Sequence, residues 1–354
     1  MGQVGIGLVG AGQMSSLVIG AIEASGLGRI VSVCDVREDA AVDRALSWKS
    51  DRYTTDIEPL LLDPAVDAVV ISAPNYLHGA MTVASMRAGK HVLSLRPMAL
   101  RLAEVDQIIN LSRSRELVVG VLEPLQHFAP LLEASAFLEA DEIGALQSVH
   151  VRVAVGSPDG GWPIEPSSWL WRFQESQSGG GPFLFDGVYE ALVASSMLAG
   201  PIGQIQAWIA QTEIYLGFAV DAPVTAMWRH QDGACTGGLS LTYSPELHIK
   251  SPQYPVDTVL RATGSRGVLE VHLSPGWLTP GAPLVMYRDG RRFEFGDVDG
   301  RWDRAFALGC EEFLRTVVEG GGVSCPPELA RQHIELTLAA RDSSRGNRPA
   351  VLGH

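Results

Sequence analysis

The sequence predicts a doubly wound parallel α/β sheet followed by a mostly antiparallel open sheet with helices on one face. Three observations carry this reading. The chain opens on Val4-Gly5-Ile6-Gly7-Leu8-Val9-Gly10-Ala11-Gly12-Gln13-Met14-Ser15, an apolar run leading into a glycine turn, after which Met14, Leu17, Val18, Ala21 and Ile22 recur at helical spacing. Asp67-Ala68-Val69-Val70-Ile71-Ser72 is a continuous apolar run, as in a strand buried on both faces. From about Ile143 the pattern changes to alternation, as in Leu146-Gln147-Ser148-Val149-His150-Val151-Arg152-Val153, which suits a strand covered on one side.

The opening stretch reads as strand, tight turn and helix, which sets backbone N–H groups and a helix N-terminus against a phosphate. Gly10 would allow the turn and Gly12 the approach of a pyrophosphate, with Gln13 and Met14 starting the helix. The third glycine position holds Ser15, still small. A second strand, Arg29 to Cys34, ends in Asp35, 23 residues after Gly12, where an acid accepts hydrogen bonds from an adenosine ribose. Asp35 favours NAD, while the nearby Arg37 leaves NADP open.

The next elements alternate. Ala40 to Leu46 suggests a short helix, and the strand at 67–72 ends in Ala73-Pro74-Asn75 before a helix from Leu77 to Ala88. His91 to Leu95 is a strand, Leu102 to Arg115 a helix and Leu117 to Leu122 a strand. Short connections between alternating elements mean right-handed crossovers and a parallel sheet, in which ligands sit at the carboxyl ends of strands. Gly10–Gly12, Asp35, Ala73–His78, Leu95–Pro97 and Glu123–Phe128 therefore converge on one crevice. The expected domains are residues 1–123, a Rossmann dinucleotide-binding domain, and 124–354, an α/β domain whose last helices are free to pack back on the first.

In the second domain, strands are expected at Ile205–Glu213, Val224–Arg229, Ala234–Tyr243, Thr258–Thr263 and Gly267–Val271, with hairpin turns at Asp232-Gly233 and Asp289-Gly290. Arg304 to Val318 and Pro327 to Ser343 read as closing helices. Gly179-Gly180-Gly181 opens into a helix whose first turn presents Asp186, Tyr189 and Glu190. Asp186 is either the N-cap of that helix or part of a binding cleft.

Composition narrows the function. At 354 residues, 46% hydrophobic and 19% charged, the chain is long enough for two domains. A net charge of −13 argues against nucleic acid or an anionic membrane as main partner. The first strand begins without a basic stretch and cleavage site, and no apolar run approaches 18 residues, so a cytoplasmic protein is expected. Cys34, Cys235, Cys310 and Cys325 lack paired spacing and read as reduced thiols. The histidines are dispersed, and no metal site is expected.

Asp67 to Asn75 with His78, then Ala88-Gly89-Lys90-His91-Val92-Leu93, resemble the Gfo/Idh/MocA oxidoreductases, and the likeness runs through Trp171-Arg172 and Gly179-Gly180-Gly181 to the final helix. The resemblance implies an NAD(P)-dependent oxidoreductase acting on a sugar, cyclitol, diol or related carbonyl or alcohol, in a homo-dimer or tetramer built through the second sheet. It makes 124–354 the substrate-binding and oligomerisation domain. It also implies a cofactor site of Gly10, Gly12, Gln13, Met14, Asp35, Arg37, Ala73, Pro74, Asn75, His78, Leu95, Arg96 and Pro97. The family's acid/base residue is a His, or a Tyr in some branches, and counting from the glycines Tyr189 falls on that position; the family's preceding Asp falls on Phe185.

One motif departs from the pattern. The family's Glu-Lys-Pro reads Leu95-Arg96-Pro97 here. A guanidinium stays charged above pH 12, so Arg96 stabilises charge and does not carry the proton. The resulting catalytic set is Arg96, Tyr189 and Asp186, with Arg96, His127, Trp171, Arg172, Asp186 and Tyr189 facing substrate. Trp162, Trp169 and Trp171 form either an aromatic wall for a ring-shaped substrate or packing. The altered motif leaves two alternatives: non-net-redox chemistry such as NAD-dependent glycoside cleavage, elimination or isomerisation, or a non-catalytic cofactor-binding accessory protein.

Overall fold

The computed structural model describes residues 2–162, 169–215, 217–274, 276, 278 and 281–353. The chain divides into two compact units that interleave in sequence. One comprises Met1–His127, Ser176–Gly179 and Asp303–Ile334, the other Phe128–Glu175, Gly180–Trp302 and Glu335–His354.

In the first unit, β1 (Val4–Val9), β2 (Gly28–Cys34), β3 (Arg52–Thr54), β4 (Ala68–Ile71), β5 (His91–Leu95) and β6 (Val119–Leu122) form one sheet in the order β3-β2-β1-β4-β5-β6. Every pairing is parallel. All of β1, β4 and β6 is buried, as their unbroken apolar runs require. The helices are α1 (Gln13–Ser25), α2 (Glu38–Ser47), α3 (Ile57–Leu62), α4 (Asn75–Arg87) and α5 (Leu102–Arg115). Neither β3 nor α3 is expected from the sequence. β3 is short and largely exposed, and α3 is six residues long with a proline inside it, so neither has a period to read.

In the second unit, after α6 (Ala129–Glu139), nine strands form a sheet. They are β7 (Leu146–Asp159), β8 (Ile202–Ile209), β11 (Val224–His230), β12 (Thr236–Lys250), β13 (Val256–Gly264), β14 (Gly267–His272), β15 (Leu284–Arg288), β16 (Arg291–Phe295) and β17 (Ala350–Val351), in the order β16-β15-β14-β13-β7-β12-β11-β8-β17. β9 (Thr212–Tyr215) and β10 (Phe218–Val220) pair separately, so the strand expected at 205–213 is in fact two. Only β7 and β12 run parallel; the other pairings are antiparallel. Burial alternates residue by residue along β11, so one sheet face is covered and the other carries exposed groups such as Met227 and, on β8, Trp208. The turn at Asp289-Gly290 has positive φ at both residues, as the sequence motif requires.

Helix α7 (Tyr189–Ala199) packs against α6 and β7. Its C-terminal end is fastened by a buried network. Trp228 Nε1 donates to His230 Nε2 at 3.2 Å, which puts the His230 proton on Nδ1, 2.7 Å from the Gly200 carbonyl. The two closing helices are α8 (Trp302–Glu319) and α9 (Pro327–Gly346). Residues 303–319 belong to the first unit, where Leu314 lies against Gly28 and Val323 against Gly120.

Candidate active site

The turn after β1 is shaped by close backbone approach. Gly10 has φ +97°, and a Cβ there would lie 2.5 Å from the Ser72 carbonyl oxygen. Glycine is therefore required twice over, for conformation and for space. At Gly12 the added Cβ would meet nothing within 4 Å, so the turn is open on that side. The N-terminus of α1 has no side-chain cap and no acid in its first turn, an arrangement that suits an anion. Ser15 is fully buried and its hydroxyl bonds the Gly12 carbonyl, so it fills the third glycine's place while tightening the first turn.

Asp35 binds this turn from β2. One carboxylate oxygen accepts the Ala11 N–H at 2.8 Å and the other the Arg37 N–H at 3.0 Å. The Arg37 guanidinium lies 3.5 Å from the same carboxylate, partly neutralising it. Each oxygen keeps a second lone pair for a ribose hydroxyl. An NAD molecule fits these residues: an open glycine turn, an uncapped helix N-terminus and an acid at the end of β2.

His78, expected in the cofactor site, sits between two loops. It is buried, and its two ring nitrogens each lie 2.7 Å from a carbonyl oxygen, those of Pro97 and Ala73. Burial pushes its pKa below the ordinary histidine value against the pull of these carbonyls and that of Leu95. The ring thus lies between the loop after β4 and Pro97, its one proton donated to one of the two carbonyls. Leu95 is buried and Arg96 half-buried.

His127, expected at the substrate, sits 3.1 Å from Ser324 Oγ and 3.6 Å from the Glu312 carboxylate, and Ser324 donates to Glu312 through both its N–H and hydroxyl, each at 2.9 Å. Burial raises the Glu312 carboxyl, but the bonds from His127 and Ser324 outweigh it and hold the group below the usual range. This cluster fastens α8 to the end of β6.

In the second unit the glycine run leads into one π-helical turn, Leu184–Val188, before α7. Asp186 lies inside this turn, whose N-cap position is Phe183, and its carboxylate pairs with Arg172. The Arg172 guanidinium lies over Trp169 at 4.8 Å and over Trp171 at 4.9 Å. Trp162 and Trp169 both meet Tyr254 edge-on, at 5.1 and 5.8 Å. Burial pushes the Tyr254 phenol up to about 12, with Arg172 lowering it and Asp186 raising it. The tryptophans, Arg172 and Asp186 are thus one connected group. Tyr189 is 1% exposed, while the Asp186 side chain is 47% exposed.

Two members of this unit's site escape sequence reasoning. Tyr254 has no motif around it. Asp221, fully buried between β10 and β11, accepts the Phe183 N–H at 2.8 Å. Burial lifts its carboxyl to about 6; the amides of Phe183 and Leu184 oppose this and Asp186 adds to it. Its only sequence signal is an acid in an apolar segment, Phe218-Ala219-Val220-Asp221-Ala222-Pro223. Arg96 belongs to the first unit; Asp186, Tyr189 and Arg172 belong to the second.

A six-stranded parallel sheet with this turn defines a dinucleotide-binding protein with a second, sheet-built unit. Family comparison is more particular. Residues 4–123 match the model "Oxidoreductase family, NAD-binding Rossmann fold" and residues 131–270 match "GFO/IDH/MocA C-terminal domain". The chain belongs to the Gfo/Idh/MocA family of NAD-binding oxidoreductases.

Among curated relatives, a 1,5-anhydro-D-fructose reductase of Ensifer adhaerens is 32% identical over 186 residues, 52% of this chain and 54% of that one. A levoglucosan dehydrogenase of Pseudarthrobacter phenanthrenivorans is 25% identical over 232 residues, 62% and 58% respectively. The chain thus spans little more than half the length of these relatives in alignment. The solved structure of levoglucosan dehydrogenase with NADH superposes with a TM-score of 0.82 at 20% identity over all of both chains, a likeness of fold. Among the described residues no cluster of His, Cys, Asp or Glu suits a metal ion, the four cysteines are free and buried, and no helix is long and apolar enough to cross a membrane.

Proposed function

We propose that this protein is an NAD-dependent oxidoreductase acting on a sugar, cyclitol, diol or related polyol, interconverting a secondary alcohol and its carbonyl. The observation that carries the reading is the braced turn, in which Asp35 holds Ala11 beside an uncapped helix N-terminus. The names of the relatives support a carbohydrate substrate.

NAD, when bound, supplies the hydride acceptor. The chain's own residues must orient the substrate and move the hydroxyl proton. Arg96 acts as a permanent cation: it stabilises negative charge developing on the substrate oxygen and carries no proton. Tyr189 is assigned the proton, and the Arg172–Asp186 pair orients substrate hydroxyls. The burial of Tyr189 favours a second reading, in which Tyr189 is packing and Asp186 handles the proton. The open face of the nine-stranded sheet, with Trp208 and Met227 exposed, supports a homo-oligomer.

The test is absorbance at 340 nm with NAD(H) and a panel of levoglucosan, 1,5-anhydro-D-fructose and myo-inositol. Turnover of at least one compound is expected, with Tyr189→Phe lowering kcat at least a hundredfold. Loss in Asp186→Asn with Tyr189→Phe unchanged selects the second reading. Absence of an NADH-dependent thermal shift would overturn both. Arg96→Lys separates a fixed cation, whose replacement lowers turnover, from a decayed lysine site, whose restoration raises it.

A further inference from the structure

We propose that Asp221 is a positioning residue for the segment that carries Asp186 and Tyr189, its buried carboxylate holding the glycine turn and the π-helical turn in one conformation. This rests on the reading above for what that segment does.

Asp221 stands outside every expected motif, yet it is fully buried and accepts the Phe183 N–H at 2.8 Å from 38 residues earlier in the chain. Its other oxygen has no hydrogen-bond partner among the described residues. The fit is tight on the turn's side. Gly181 has φ +148°, and a Cβ there would collide with the Asp221 carboxyl carbon and lie 2.5 Å from its Oδ1. The glycine run thus lets the chain close onto this carboxylate, and flexibility is not its purpose.

A buried carboxylate without a cation costs stability. Its group titrates at about 6, so the ionised form is disfavoured in the fold and stability is given up as pH rises from about 4 to 6. An amide would also accept from Phe183, more weakly but without that cost. What the charge adds is a stronger acceptor at the first turn of a helix, where N–H groups are otherwise unsatisfied. The facing charged groups are Asp186 on the π turn and, paired with it, Arg172. The same carboxylate therefore sets the backbone from which the Asp186–Arg172 pair is hung, and fixes the start of α7 at Tyr189.

Asp221→Asn and Gly181→Ala in the full chain test this. Amide hydrogen exchange should accelerate at least tenfold at Phe183 in Asp221→Asn, with NADH affinity unchanged. Its melting temperature at pH 7.5 should stay level or rise, while kcat on a compound turned over in the panel falls at least tenfold and KM changes less than threefold. Gly181→Ala, which displaces the carboxylate without removing its charge, should show the same kcat loss. Stability and activity falling together in Asp221→Asn would mark a merely structural residue and overturn the proposal, as would unchanged exchange at Phe183. If wild type turns over no compound, the assigned activity fails by itself and the exchange arm still decides the positioning.

Discussion

The Nδ1 of His78 lies 2.7 Å from the carbonyl oxygen of Pro97, and through its Nε2 the same ring reaches Ala73 at the same distance. One buried side chain thus sits between the ends of β4 and β5, its single ring proton donated to one of the two carbonyls. His78→Ala should lower stability by roughly 2–4 kcal/mol, from the cavity and the loss of the one hydrogen bond a neutral ring donates. It should also weaken NADH binding about tenfold, read by fluorescence titration. A destabilised variant with wild-type NADH affinity would show that the brace serves the fold alone.

Gly10→Ala tests the turn itself. The residue would have to adopt φ +97° with its methyl against Ser72. A cost of at least about 2 kcal/mol is expected, with NADH affinity lost at the same time, because β1 and β4 must part to make room. Gly12→Ala is the useful contrast. Nothing crowds its Cβ, so the fold should hold while NADH binding falls. Chemical denaturation alongside cofactor titration separates the two, and equal melting loss in both variants would contradict the assignment.

Arg172→Lys keeps the charge and removes the planar cation between Trp169 and Trp171. Stability should fall by about 1 kcal/mol and tryptophan emission should change as the indoles lose their shared partner. Substrate KM should rise more than kcat falls, since the pair with Asp186 is assigned to orientation. A lysine variant with unaltered emission and KM would remove the stack from the site.

Stability should also respond to acid. Burial pushes His333 down to about 4, and burial likewise lowers His78, His91 and His230. A histidine with a depressed native pKa binds fewer protons folded than unfolded, so its contribution is complete above about pH 6.5 and shrinks as pH falls through that value towards 4. For His333 the loss amounts to roughly 3 kcal/mol. His333→Gln should flatten the melting-temperature profile between pH 6.5 and 4. An unchanged slope would show that other groups set the acid limb.

Much of the first unit was legible because its strands are buried on both faces and announce themselves as apolar runs; 67–72 needs no other signal. The turn chemistry at Gly10–Gly12 and Asp289-Gly290 was legible because few residues tolerate those conformations. The π turn was not. Leu184-Phe185-Asp186-Gly187-Val188 has no feature that separates i→i+5 from i→i+4 bonding, so Asp186 reads as a cap until its pair with Arg172 is seen. Asp221 was hidden for another reason: its partner amide is distant in sequence, and periodicity says nothing about such contacts. His78 was legible from its motif, but its neighbours, the carbonyls of Ala73 and Pro97, come from two separate loops that periodicity does not bring together.

The order of the chain has a consequence for its synthesis. The first unit's last segment, 303–334, follows roughly 175 residues after His127, and the second unit's sheet gains β17 only at Ala350–Val351. At about 5–20 residues per second, some 10–40 s pass in which the apolar surface around Gly28 and Gly120 has been made but Leu314 and Val323 have not. The nascent Rossmann sheet must wait, uncovered on that side, until nearly all of the other unit has left the ribosome.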